Sequence, residues 1–168
     1  RCLIRNPKVL IMDEPTSVLT EQETSELFLS LKKFSEEGIL IIYITHKLKE
    51  VMQLCDEVAV MRKGKLDSVS EIKSEKMVGQ NLKTIKKKKL ETSADQLIKI
   101  TNLNFISEDP FETNLNNINF SVNRGECLGI AGISGNGQSE LFQILSGEII
   151  SDKNSIEFNK NYIGDLNP

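Results

Sequence analysis

Two adjacent carboxylates, Asp13 and Glu14, follow directly on the apolar run Val9-Leu10-Ile11-Met12 and precede Pro15, Thr16 and Ser17. A continuous apolar run of this kind reads as a strand buried on both faces, the habit of parallel sheets. Open α/β sheets bind ligands beyond the carboxyl ends of their strands, so the acid pair is predicted to stand at a binding edge. Two carboxylates side by side there are costly unless a cation, usually Mg²⁺, offsets their charge. His46 is the only histidine in the chain. It follows a second apolar run at 39–44 and precedes a helix-forming stretch at 47–54, so it falls at a strand-to-helix switch on the same sheet edge. A neutral imidazole at that place can hydrogen-bond a phosphate oxygen and hold the geometry of an attacking water.

A third group lies far along the chain. Gly132-Ile-Ser-Gly135-Asn136-Gly137-Gln138-Ser139 stands between an apolar strand at 126–131 and an apolar helix at 141–145. Glycines at this spacing let backbone N–H groups converge on anionic oxygens, and the helix N-terminus adds its positive end. A tight turn without a ligand is the plainer alternative. The phosphate-loop pattern calls for Lys followed by Ser or Thr, and here Gln138 occupies the lysine position while Ser139 keeps the Mg²⁺-side hydroxyl. A hydrogen bond to a charged group is worth roughly 1.5–3 kcal/mol, so its loss weakens binding about ten- to over a hundred-fold. A nucleotide at millimolar level can still occupy such a site, while stabilisation of moving charge suffers more.

The elements that must position these groups are legible in order. A helix ends near 1–6, stopped by Pro7. After the acids, Thr20 and Glu23 form a capping box, and Leu27, Phe28, Leu31 and Phe34 mark the buried face of the helix that follows. Gly38 is its C′ residue. Short strands at 57–62 and 66–70, joined at Lys63-Gly64, form a small hairpin closing the domain. Ser74 caps a last short helix through 78. In the second half, strands fall at 97–105, 117–122 and 126–131, with Arg124-Gly125 as a turn and Gly147 as a helix stop. Residues 155–158 read as a further antiparallel strand, and 162–164 as the start of the next core strand.

The runs Met12-Asp-Glu-Pro-Thr-Ser-Val-Leu-Thr20, Ile44-Thr-His-Lys-Leu-Lys-Glu-Val51 and Val60-Met-Arg-Lys-Gly64 together resemble the carboxyl-terminal half of an ABC-transporter ATPase domain. They correspond in order to its Walker B strand, D-loop and switch histidine. Thr20 stands where the D-loop often ends in Asp, a departure common in the sugar-importer branch. The stretch from Gly125 to Leu141 resembles the second ATPase domain of tandem subunits that energise import of simple sugars and nucleosides, a branch whose second phosphate loop often lacks its lysine. The resemblance implies an α/β P-loop NTPase core with ATP and Mg²⁺ as ligands. Asp13 and Ser139 are its metal-side residues, Glu14 and His46 its catalytic residues, and Gly132, Gly135, Asn136, Gly137, Gln138 and Ser139 its phosphate cradle. The expected layout is the end of a first ATPase domain at 1–80, a Lys-rich linker at 81–96, and the start of a second domain at 97–168. The two halves are then two incomplete units with hairpin and antiparallel subdomain elements, serving different nucleotides. No Leu-Ser-Gly-Gly-Gln signature loop is present, so the chain alone is expected to hydrolyse ATP negligibly. Neither Phe105 nor Phe111 fits the register of an adenine-stacking aromatic.

The opening on Arg1 and the close at Asn167-Pro168 give the expectation of a fragment. Net charge is −3, which supplies no global field for nucleic acid. Lys86 to Lys89 form a solvated linker, a weaker fit to RNA or anionic lipid. The longest apolar run is far short of the ~20 residues a membrane span needs. Cys2, Cys55 and Cys127 lack metal or disulfide spacing and read as buried thiols. The partners the resemblance implies are membrane permease subunits, a periplasmic or lipoprotein substrate-binding protein, and a second ATPase domain in the same chain, but no nucleic acid. The place implied is the cytoplasmic face of the plasma membrane, held peripherally. Two other readings are a nucleotide-binding regulatory module without hydrolysis and a soluble ATPase acting on ribosomes.

Overall fold

A computed structural model describes residues 7–71, 95–152 and 154–163. The expected helix end at 1–6, the Ser74-capped helix, Cys2, Gly164 and all but the last two residues of the 81–96 linker lie outside the described residues.

The apolar runs become strands of one five-stranded sheet. Strand β1 (Val9–Asp13) leads through α1 (Glu21–Glu36) to β2 (Leu40–Thr45), and α2 (Leu48–Leu54) leads to β3 (Glu57–Arg62) and β4 (Lys65–Glu71). Thr20 caps α1 with both arms of the capping box, its hydroxyl accepting from the Glu23 N–H and the Glu23 carboxylate accepting from the Thr20 N–H. Gly38 turns the chain out of α1 at φ +88, a conformation that favours glycine.

In the second segment β5 (Gln96–Phe105) and β6 (Leu115–Asn123) form an antiparallel pair, followed by β7 (Cys127–Ala131) and α3 (Gln138–Ser146). Two short strands, β8 (Ile156–Phe158) and β9 (Asn161–Tyr162), complete a four-stranded antiparallel sheet in the order β6-β5-β8-β9.

The main sheet runs β1-β2-β7-β3-β4, with β1, β2, β7 and β3 parallel and β4 antiparallel to β3. Every residue of β2 is buried, and so is every residue of β7. Alternation along β2 then divides the core. Leu40, Ile42 and Ile44 face the antiparallel sheet together with Leu141 and Ile144 of α3. Ile41 and Tyr43 face Phe28 and Leu31 of α1, and Val51 and Leu54 of α2. Gly129 of β7 permits this packing, because a Cβ there would lie 2.4 Å from Val51 Cγ1 and 2.9 Å from Cys55 Sγ.

Some expectations need correction. Strand β1 is half-buried rather than buried on both faces, because it lies at the edge of the sheet with only β2 beside it. The expected hairpin at 57–62 and 66–70 is present, and its first strand β3 also pairs with β7 and so continues the main sheet. Residues 161–162 pair back onto β8 as a hairpin return and do not begin a core strand. Among the described residues, strands of both segments share the main sheet. Strand β7 of the second segment lies between β2 and β3 of the first. The physical reason is that β2 and β3 each need a neighbour for their backbone groups, and a buried strand cannot leave them unpaired.

Candidate functional site

The parallel strands end together at one edge. Asp13 is the last residue of β1 and pairs with Ile44, and Thr45 pairs with Ala131, the last residue of β7. Immediately beyond lie Glu14, His46 and the glycine-rich loop. Asp13, Glu14, Ile44 and Thr45 form one wall of a cleft of about 210 Å³, and Ser134, Gly135, Gln138 and Ser139 form the other. The family resemblance assigns Asp13 and Glu14 to a different nucleotide from Gln138 and Ser139, and in this structure the two sets line one cleft. Insertion of β7 beside β2 brings both sets to the same cleft.

Glu14 adopts a left-handed backbone, φ 42, and its N–H donates to Ile44 O at 2.9 Å. That bond carries the register of β1 and β2 one residue past the strand and fixes where the side chain leaves. His46 Nδ1 lies 2.5 Å from Glu14 Oε1, and both side chains remain open to solvent. Partial desolvation of Asp13, with the adjacent Glu14 charge, raises its carboxyl above the usual range. A cation in the cleft would relieve both causes. Asp13 carboxylate and Ser139 hydroxyl are hard oxygen donors on opposite walls, the donor set Mg²⁺ takes when phosphates and water complete its shell. Among the described residues no group of three or more His, Cys, Asp and Glu forms a protein-only metal site.

The glycine-rich loop divides by role. Gly137 is the N-cap of α3 at φ +104, and a Cβ there would press on Leu115 at 2.7 Å. Gly135, φ +81, has open space where its Cβ would be, and it lines the cleft. Gly132 is required by crowding, since a Cβ would lie 2.3 Å from Gln138 Nε2 and 2.9 Å from Met61 O. Asn136 does not line the cleft. Its Oδ1 accepts from Lys63 N at 2.8 Å and its backbone oxygen from Gly64 N at 3.0 Å, tying the loop to the β3–β4 turn. Gln138 folds back into the loop, with Nε2 donating to Ile133 O at 3.2 Å and Oε1 accepting from Asn136 N at 3.2 Å. One backbone donor of the cradle is thus held by the side chain that replaces lysine. Helix α3 begins at Gln138, earlier than the apolar residues suggest, so Ser139 lies in its first turn.

A polar cluster behind the site escapes reading from sequence. Thr16 Oγ1 lies 2.7 Å from each carboxylate oxygen of Glu50, and Tyr43 OH donates to Glu50 Oε2 at 2.7 Å. Lys47 Nζ is 3.3 Å from Glu50 Oε1 and donates to Thr16 O at 3.1 Å. Burial and the Glu50 carboxylate push the Tyr43 phenol far above its ordinary range, so it stays a donor. The usable signal was Tyr43 itself, a hydroxyl in an otherwise apolar strand, which requires a partner when buried.

The sequence profile described as ABC transporter matches residues 115–167. The ribose import ATP-binding protein of Clostridium tetani is 36% identical over 175 residues, covering 100% of this chain and 34% of that protein. The galactose/methyl galactoside import ATP-binding protein of Treponema denticola is 36% identical, covering 94% of this chain and 32% of its own length. The nucleoside import ATP-binding protein of Lactococcus lactis is 35% identical, covering 100% of this chain and 34% of its own. The chain therefore spans about a third of the length of these curated relatives. No solved structure matches it. The acid pair, the switch histidine and the glycine-rich loop, on a mixed parallel and antiparallel α/β frame, agree with these matches: the chain belongs to the ABC transporter ATP-binding family of P-loop NTPases.

Proposed function

We propose that the whole protein carrying this chain binds and hydrolyses ATP with Mg²⁺ to energise import of a simple sugar or nucleoside. The observation that carries this reading is the cleft with Asp13 and Glu14 on one wall and Gln138 and Ser139 on the other. Relatives matched over the full chain are named as ribose and nucleoside import ATP-binding proteins, which supports the substrate class.

In this reading Glu14 accepts a hydrogen bond from the attacking water, and His46 fixes the Glu14 carboxylate through the Nδ1 contact while its other ring nitrogen reaches toward phosphate. Asp13 and Ser139 hold Mg²⁺, which when bound neutralises charge on the phosphates. Gly132 and Gly137 allow the close turns of the cradle, Gly135 leaves room for the anion, and Asn136 holds the loop on the β3–β4 turn. Gln138 supplies a neutral side chain where a cation is usual, so binding at this loop is weak.

Residues 1–80 correspond to the second half of one ATPase domain, 81–96 to a linker, and 97–168 to the start of another. Because both domains share one fold, a strand of the second fits the slot beside β2 that a strand of the first would fill. The partners are membrane permease subunits, a periplasmic or lipoprotein substrate-binding protein and the second ATPase domain. The place is the cytoplasmic face of the membrane, held peripherally. Among the described residues no helix is long and apolar enough to cross a bilayer.

The test is uptake of labelled ribose, galactose and nucleosides by cells producing the whole protein with its permease. Uptake of one class is expected, and it is lost with His46→Ala. Undiminished uptake in that variant would remove the proposed role of the histidine, and no uptake of any of these solutes would remove the substrate class.

A further inference from the structure

Glu14 holds a left-handed backbone conformation that non-glycine residues rarely adopt, and such a residue persists only where its surroundings over-determine it. On one side its N–H is tied to Ile44 O. On the other, Ser17 N donates to Glu14 O at 3.1 Å, and the chain runs at once into Thr16, which is 2% exposed. The Thr16 side chain is anchored on Glu50 of α2, and Lys47, the residue after His46, is anchored on both Thr16 and Glu50. Glu50 thus grips the loop that follows Glu14 and the helix start that follows His46. Its side chain is 12% exposed, and Lys47 balances its charge, so the grip operates where water competes little.

We propose that Glu50 is a positioning residue for hydrolysis: by clamping Thr16 and Lys47 it holds Glu14 and His46 at hydrogen-bond distance. This rests on the reading that Glu14 and His46 act on the attacking water. Neither Glu50 nor the Thr16 and Lys47 it clamps line the cleft, so the clamp acts through Glu14 and His46 and leaves the phosphate cradle alone.

The test is steady-state ATP hydrolysis by the whole protein carrying Glu50→Ala, Glu50→Gln, Thr16→Val or Glu14→Gln, with circular dichroism to confirm folding. Glu50→Ala is expected to lower kcat about ten- to a hundred-fold, the usual cost of a misplaced reacting group. KM for ATP is expected to stay within about two-fold, since the interaction lost acts on the chemical step. Glu50→Gln keeps an acceptor for Thr16 and Tyr43 and is expected to restore part of kcat. Thr16→Val removes one arm at nearly constant volume, and it decides the matter if Glu50→Ala does not fold. Wild-type kcat in folded Glu50→Ala or in Thr16→Val, with Glu14→Gln inactive, overturns the clamp alone. Wild-type kcat in Glu14→Gln overturns the underlying reading of the site and the clamp with it.

Discussion

Gln138 shows how one residue changes what a loop offers a ligand. Its amide closes the cradle on itself through Ile133 O and Asn136 N. Gln138→Lys introduces a cation at the anion site, and nucleotide affinity is expected to rise about ten- to over a hundred-fold. Titration with a fluorescent ATP analogue reads this directly, and unchanged affinity would show that the loop does not hold phosphate. The missing lysine was plain in the sequence, but the internal bonds of Gln138 were not, because a side chain's partners depend on how the loop closes. The same holds for Thr16 and Glu50, which lie 34 positions apart and meet only after β2 and α2 have packed. Asp13 bears a second prediction. Its carboxyl is raised by burial and by Glu14, so between its ordinary and raised values the folded state holds a proton that the unfolded state has released. In metal-free protein this contribution is full below the ordinary aspartate value and is lost as pH rises through the raised one. Asp13→Asn is therefore expected to leave the metal-free melting temperature at pH 7 equal to or above that of the parent. The same variant loses the rise that Mg²⁺ with nucleotide produces. A large Mg²⁺-dependent rise retained in Asp13→Asn would place the metal elsewhere.

At the scale of elements, local pattern was sufficient where one residue type carries the physics. Thr20 with Glu23 set the start of α1, and Gly38 its end. The continuous burial of β2 and β7 also follows from their composition, while alternation along β5 is interrupted at its bulges. Pattern failed for β1, because five residues of mostly apolar chain do not say whether one neighbour or two will pair with them. It failed again at 161–162, where a two-residue return looks like the opening of a longer strand. The packing of α2 on β7 is tight enough to test. Gly129→Ala sets a methyl group against Val51 and Cys55 and is expected to destabilise the fold by about 1–3 kcal/mol, the usual cost of overpacking. Chemical denaturation checks this, and a neutral result would mean that α2 does not lie on β7.

For the whole molecule, the order of motifs along the chain suggests two incomplete units joined by a linker, and the described strands of both lie in one sheet. Which strand fills the slot beside β2 is settled by tertiary pairing that no local pattern encodes. Two thiols report on this arrangement. Cys55, at the end of α2, and Cys127, in β7, lie 3.5 Å apart between sulfurs and come from opposite segments. Treatment of the folded chain with copper–phenanthroline is expected to join residues 55 and 127 within one molecule, as mapped by mass spectrometry of its peptides. If they remain unlinked, or link only between molecules, the two segments do not share a sheet in solution. The interleaved arrangement puts Asp13, Glu14, Ser134, Gly135, Gln138 and Ser139 around one cleft. Glu14, held by Ile44 on one side and by His46 on the other, is the group placed to act on water there. ATP turnover by the whole protein carrying Glu14→Gln probes that placement without altering the cradle. Turnover is expected to fall about a hundred-fold or more, the contribution of a positioned general base, with nucleotide binding retained. Turnover at the parental rate would contradict the assignment of Glu14 and, with it, the functional reading of the cleft.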